Sequence, residues 1–127
     1  MKIDDGKASA PDDAGRDVKA VLRADLRAAM KCREMIEASV LRGLIAAIDN
    51  AEAPSSRAMS TGYEPHRFET GSAEVERLRL SRCTVRGVLT AELREREEAA
   101  NELERLGKVD DAEALRVQAR FVRRYLD

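Results

Sequence analysis

The sequence predicts an all-α protein: two N-terminal helices, a long loop, then a long antiparallel αα-hairpin. Three observations carry this reading. Apolar residues recur at three-and-four spacing in four separate stretches, the mark of helices that each bury one face. Charged residues make up 37% of the chain and aromatics 3%, with no Trp. That balance suits amphipathic helices of Ala, Leu, Val, Arg and Glu, and not the aromatic and β-branched strands of a sandwich or barrel. Finally, Gly107 stands between two helical patterns, where glycine at positive φ ends a helix and turns the chain.

Residues 1–16 are small and polar, broken by Pro11 and two glycines, and read as a flexible arm. From Asp17, a favourable N-cap, the stripe Val18, Val21, Leu22, Asp25, Leu26 and Ala29 predicts a helix near 17–33. A second stripe, Ala38, Leu41, Leu44, Ile45 and Ile48, predicts a helix near 35–52. The two stripes do not form one straight face, so a bend is expected around Arg33 to Ile36. No Gly or Pro enforces it, and one unbroken helix is the alternative. Residues 53–72, with two prolines, two glycines and many hydroxyls, read as a loop, either disordered or laid on the surface. Tyr63 and Phe68 fall within it and suggest that part of it docks. Val75, Leu78, Val85, Leu89, Leu93, Ala100 and Leu103 predict a long helix over 73–106. Asp110 or Asp111 then caps a last helix at 110–126, with Ala112, Leu115, Ala119, Val122 and Leu126 facing the core. Residues 17–127 are thus expected to form a single helical domain.

The formal net charge is −1, so no global field draws the chain to nucleic acid. Cys32 and Cys83 stand in no CxxC or zinc-like spacing, the N-terminus has no apolar signal-peptide core, and no apolar run approaches the ~18 residues of a membrane span. A cytoplasmic protein with reduced thiols and no membrane contact is expected. Enzyme motifs are lacking. His66 is the single histidine and lies in the loop; a Ser-His-Asp or Cys-His arrangement would have to use it. Glu97 and Glu98 sit on a charge-rich helical face, where solvation accounts for them. No Gly-rich phosphate loop and no metal-ligand cluster occurs. No catalytic residue, metal or cofactor is therefore expected.

Polar residues on apolar stripes carry more information. At roughly 100° per residue, Arg96 falls mid-stripe with Arg82 near it, Asp25 lies among Val18, Leu22 and Ala29, and Arg42 borders the second stripe. Such a guanidinium must be paired, reach water, or face an arriving partner. One reading is an internal network in which Asp25 meets Arg42 or Arg96. Another is a basic groove for a phosphate or carboxylate partner. Arg116, Arg120, Arg123 and Arg124 crowd the last helix, where they complement its C-terminal dipole or form a tRNA- or anion-binding patch. Val117 and Phe121 point away from Leu115 and Val122, so this helix is apolar on two faces and is either sandwiched or a homodimer contact.

Two blocks of sequence carry a family resemblance. DLRAAMKCREMIEASVLRGLIAAIDNAE, from Asp25 to Glu52, resembles the opening of the YqeY family, and RERE…LERLGKVDD…VRRYLD resembles a later block of the same family. The shared positions are Asp25, Ala29, Met30, Lys31, Arg33, Ser39, Leu41, Arg42, Asn50, Glu52, Arg96, Gly107, Asp110, Tyr125 and Leu126. The resemblance implies a GatB/YqeY-like helical domain, related to the tRNA-contacting tail of the tRNA-dependent amidotransferase B subunit. It also implies a polar cluster of Asp25, Lys31, Arg33, Arg42 and Arg96, and partners that are tRNA or an amidotransferase-type protein. A label of carbon–nitrogen ligase with glutamine as amide donor would be inherited from the large enzyme and implies no activity here. Family members usually continue past the last block into a small helical bundle, whereas this sequence ends at Tyr125-Leu126-Asp127, and Arg94-Glu95-Arg96 stands where the family has Lys-Gln-Arg. The alternative function is a helical protein-interaction or dimerisation adaptor with no nucleic-acid role.

Overall fold

The computed structural model describes residues 13–54 and 76–127. Four α-helices account for most of them: α1 (Ala14–Lys31), α2 (Met35–Glu52), α3 (Arg82–Arg105) and α4 (Val109–Arg123), with no strand among the described residues. The fold is all-α, as the stripes predict. α1 and α2 form one antiparallel pair, α3 and α4 form the αα-hairpin, and α2 packs against all three other helices. Leu22, Leu41, Leu44, Ile48 and Val122 are the largest fully buried side chains, at the junction of the two pairs.

α1 begins three residues earlier than expected. Asp13, not Asp17, is its N-cap, and the Asp13 carboxylate accepts from the Arg16 backbone N–H at 3.1 Å. Asp17 instead places its charge in the first turn, where the helix dipole favours it. Ala14, Gly15 and Arg16 therefore belong to the helix and not to the arm; residues 1–12 lie outside the described residues. Val21, counted in the first stripe, is 53% exposed, because it sits a full 100° from Leu22 on the rim.

The bend between α1 and α2 is real and is made by Arg33, at φ 59°. The Glu34 N–H donates to the Ala29 carbonyl at 2.8 Å and the Arg33 N–H to the Met30 carbonyl at 3.1 Å. This is a Schellman turn with arginine in the left-handed position that glycine usually holds. The second turn has the same form with the expected residue. Gly107 has φ 82°, the Lys108 N–H reaches Leu103 O at 2.8 Å, and the Gly107 N–H reaches Glu104 O at 3.0 Å.

The start of α3 departs from expectation. It begins at Arg82, capped by Ser81, whose hydroxyl accepts from the Thr84 N–H at 3.1 Å. Residues 76–80 are non-helical because their backbone serves two helix ends. The Leu78 N–H donates to Glu52 O at 2.8 Å, completing the C-terminus of α2, and Leu80 O accepts from the Ala14 N–H at 3.0 Å, satisfying a free donor of α1. Leu80 is buried beneath this crossing, while Leu78 is 51% exposed. Val75, Tyr63, His66 and Phe68 lie outside the described residues, as do residues 55–72 of the expected loop.

In α4 the stripe is as read: Ala112, Ala119, Val122 and the following Leu126 are buried, with Leu115 half-buried. Its second apolar face is used within the chain. Phe121 packs against the core and carries the Arg124 guanidinium 5.1 Å above its ring, and Val117 is half-buried. α4 packs on both α3 and α2.

Candidate functional site on the first helical pair

The arginines of α4 and its C-cap Arg124 are each matched to a carboxylate. Arg116 donates to Glu104 at 2.6 Å and to Asn101 at 3.1 Å, Arg123 to Glu97 at 2.7 Å, and Arg124 to Glu37 at 3.2 Å; Arg120 lies 3.5 Å from Glu113. Exposed pairs of this kind contribute little to stability. Their consequence is electrostatic: the acids of α2, α3 and α4 offset the positive potential that the four arginines would otherwise project.

Arg96 is largely buried and ion-paired, but not with Asp25. Its Nη1 donates to the Glu92 carboxylate and to the Glu92 carbonyl, both at 2.9 Å, and its Nε to Gln118 at 3.3 Å. Gly43 of α2 faces this guanidinium, and a Cβ there would make ordinary contact with its Nη2 at 3.6 Å. Asp25 instead accepts the Tyr125 hydroxyl at 2.5 Å, tying the end of the chain to α1. Burial and the adjacent Asp25 carboxylate push the Tyr125 hydroxyl well above its usual range. Lys31 and Arg33 are exposed at the end of α1. Of the five residues that the resemblance groups together, Asp25 and Arg96 thus bond to different partners and Lys31, Arg33 and Arg42 are exposed, so the five do not converge.

Of the densest buried charge, only Glu52 stands among the residues singled out from sequence, as a shared position of the resemblance, and none of its partners Lys19, Asp49 and Arg77 does. Lys19 donates to Asp49 at 2.7 Å and to Glu52 at 2.6 Å, with the Lys19 and Glu52 side chains 8% and 4% exposed. Arg77 lies across the same acids, 3.0 Å from Glu52 and 3.6 Å from Asp49. Burial alone would depress the Lys19 ammonium, but the hydrogen bonds and charges of Asp49 and Glu52 outweigh it and hold its pKa above the ordinary 10.5. Two cations and two carboxylates balance, and every member sits where 76–80 crosses the ends of α1 and α2. Gly15 admits this packing: a Cβ there would lie 2.6 Å from a Glu52 carboxylate oxygen and 3.3 Å from Leu80. The cluster is a structural knot. The signal was present, since Ile45, Ile48 and Glu52 fall at i, i+3 and i+7 on one stripe.

Along the same helical pair lies a groove of about 390 Å³, lined by Arg23, Leu26, Arg27, Met30, Arg42 and Ile45. Leu26 and Ile45 rest on the core and form its floor, and Met30 stands 51% exposed at one end. Arg23, Arg27 and Arg42 are exposed on its rims. Among the described residues none of the three is within salt-bridge distance of a carboxylate, in contrast to every arginine of α4. Asp49, on the same flank of α2, is already engaged by Lys19. Among the described residues no group of His, Cys, Asp and Glu is placed to hold a metal, both cysteines are exposed, and no helix is long and apolar enough to cross a membrane. Searches of family models, curated proteins and solved structures find no match to this chain.

Proposed function

We propose that this chain is a non-catalytic helical docking module, of the kind associated with tRNA or the tRNA-dependent amidotransferase, and that it docks through the α1–α2 face. The kinship rests on the YqeY-like blocks around Asp25–Glu52 and Arg94–Leu126. The observation that carries the choice of face is that three arginines unmatched among the described residues, Arg23, Arg27 and Arg42, rim one apolar-floored groove, whereas Arg116, Arg120, Arg123 and Arg124 each have a carboxylate. A face that must receive an anion keeps its cations free of internal acids.

Titration of bulk tRNA at two salt concentrations tests this. Expected is weak binding of about 10⁻⁴ to 10⁻⁶ M that falls steeply with salt. The triple variant R23E/R27E/R42E should abolish it, and R120E/R124E should change it little. Loss through R120E/R124E alone would return the contact to α4. The adaptor reading, without nucleic acid, is favoured by one observation: the groove floor is apolar, which a phosphate backbone does not use.

A further inference from the structure

We propose that the occupant of the α1–α2 groove is protein: an amphipathic helix whose apolar stripe is flanked by Asp and Glu. This rests on the reading of α1–α2 as the docking face and specifies its partner. Arg23, Leu26, Arg27 and Met30 fall at i, i+3, i+4 and i+7, so α1 presents two turns, about 10 Å, of alternating cation and apolar side chain along one edge. Ile45 and Arg42 supply the opposite wall from α2. Two antiparallel helices with an apolar seam between them form the groove into which a third helix lays its stripe.

The chemistry of the lining distinguishes protein from RNA. The groove holds no aromatic side chain on which a base could stack. Its floor of Leu26, Met30 and Ile45 gains from covering by apolar side chains, and methionine adapts its shape to whatever arrives. The rims carry guanidinium groups, whose planar forks pair with carboxylates in two-point contacts. Apolar floor and arginine rims together match leucines flanked by glutamates.

A synthetic amphipathic helix of about 14 residues, roughly four turns, with leucines at i, i+3 and i+7 between glutamates, is the probe, measured by calorimetry on the full chain beside bulk tRNA. Expected is binding of the peptide that drops at least about tenfold, the equivalent of ~1.4 kcal/mol, in two cases: when its leucines become serines, and in R23E/R27E/R42E. Met30→Asp, at an exposed site, should also weaken it, with helicity checked by circular dichroism for every variant. Binding that ignores the leucines, or that survives both the triple variant and Met30→Asp, overturns the inference. If tRNA binds through these arginines and the peptide does not, the partner is RNA and only the docking face stands. Concentration-dependent self-association abolished by R23E/R27E/R42E would place a second copy on the face instead. Failure of both peptide and tRNA removes the docking face itself.

Discussion

Lys19 shows what a single side chain decides here. Its ammonium is the only described cation that reaches Asp49 and Glu52 from within the fold, since Arg77 approaches them from the exposed side. Removing one partner of a buried pair leaves the other charge uncompensated, at a cost of about 3–5 kcal/mol. Lys19→Ala should therefore lower the urea midpoint severely, and Lys19→Met combined with Glu52→Leu should recover much of the loss. No recovery in the double variant would show that the packing at Gly15, and not the charge, sets the cost. The pH dependence has a definite sign. Lys19 and Tyr125 both titrate higher in the fold than in the unfolded chain, so their contributions are complete below about pH 10 and are lost as pH rises further. Urea midpoints measured from pH 8 upward should fall beyond pH 10, and fall less steeply in Tyr125→Phe. A stripe drawn through Ile45 and Ile48 already passes through Glu52 in the sequence. What the sequence does not contain is the partner: Arg96 satisfied itself with Glu92 four residues away, a local choice that the stripe geometry leaves equal to Asp25.

At the scale of the element, the two helix ends at Arg33 and Gly107 form a natural experiment. Both turns have the same hydrogen bonds and both central residues have positive φ, but only one is glycine. A side chain in the left-handed region costs roughly 1–2 kcal/mol, against which glycine brings an entropic penalty of about 0.5–1 kcal/mol. Arg33→Gly should stabilise the protein by about 0.5–1 kcal/mol and Gly107→Ala should destabilise it by about 1 kcal/mol. Nothing lies within 4 Å of a Cβ at Gly107, so backbone strain alone drives the second change. An Arg33→Gly variant that melts no higher than the parent would show that Arg33 has a compensating contact. The same contrast explains what could be read of the elements. Gly107 announces its turn; Arg33 hides one, and only the misaligned stripes gave it away. That the continuous helix expected over 73–106 begins only at Arg82, with 76–80 non-helical, has a different cause. Val75 and Leu78 carry helical spacing, but the Leu78 and Leu80 backbone groups bond to Glu52 and Ala14, tertiary partners that local periodicity does not encode. Ser81, three residues before Thr84, was the better start signal.

The described residues form two helical pairs packed together chiefly through α2, and that much follows from four stripes and one glycine. The candidate face was only half legible. Arg42 was visible at the edge of its stripe, whereas the relevance of Arg23 and Arg27 depends on which carboxylates the fold consumes elsewhere, a sum over all the elements. The crossing at Glu52, Leu78 and Ala14 has a further consequence, for the tolerance of the chain to changes in length. Because Leu78 bonds the last residue of α2, the polypeptide comes back to within one hydrogen bond of the point it left, 26 positions earlier in the numbering. The two ends of that span are thereby pinned to one another at Glu52 and Leu78. The entropic cost of joining two fixed ends grows only logarithmically with the length of chain between them, about 0.6 kcal/mol for each doubling. Inserting a Gly-Ser stretch that doubles the span between residues 54 and 76 should therefore shift stability by about that amount and leave the four helices intact by circular dichroism. A loss several times larger would mean that the segment holds part of the core. An insertion tolerated to that degree would make the span a place where new sequence enters at little cost, with the knot of Lys19, Asp49, Glu52 and Arg77 standing where any such addition begins and ends.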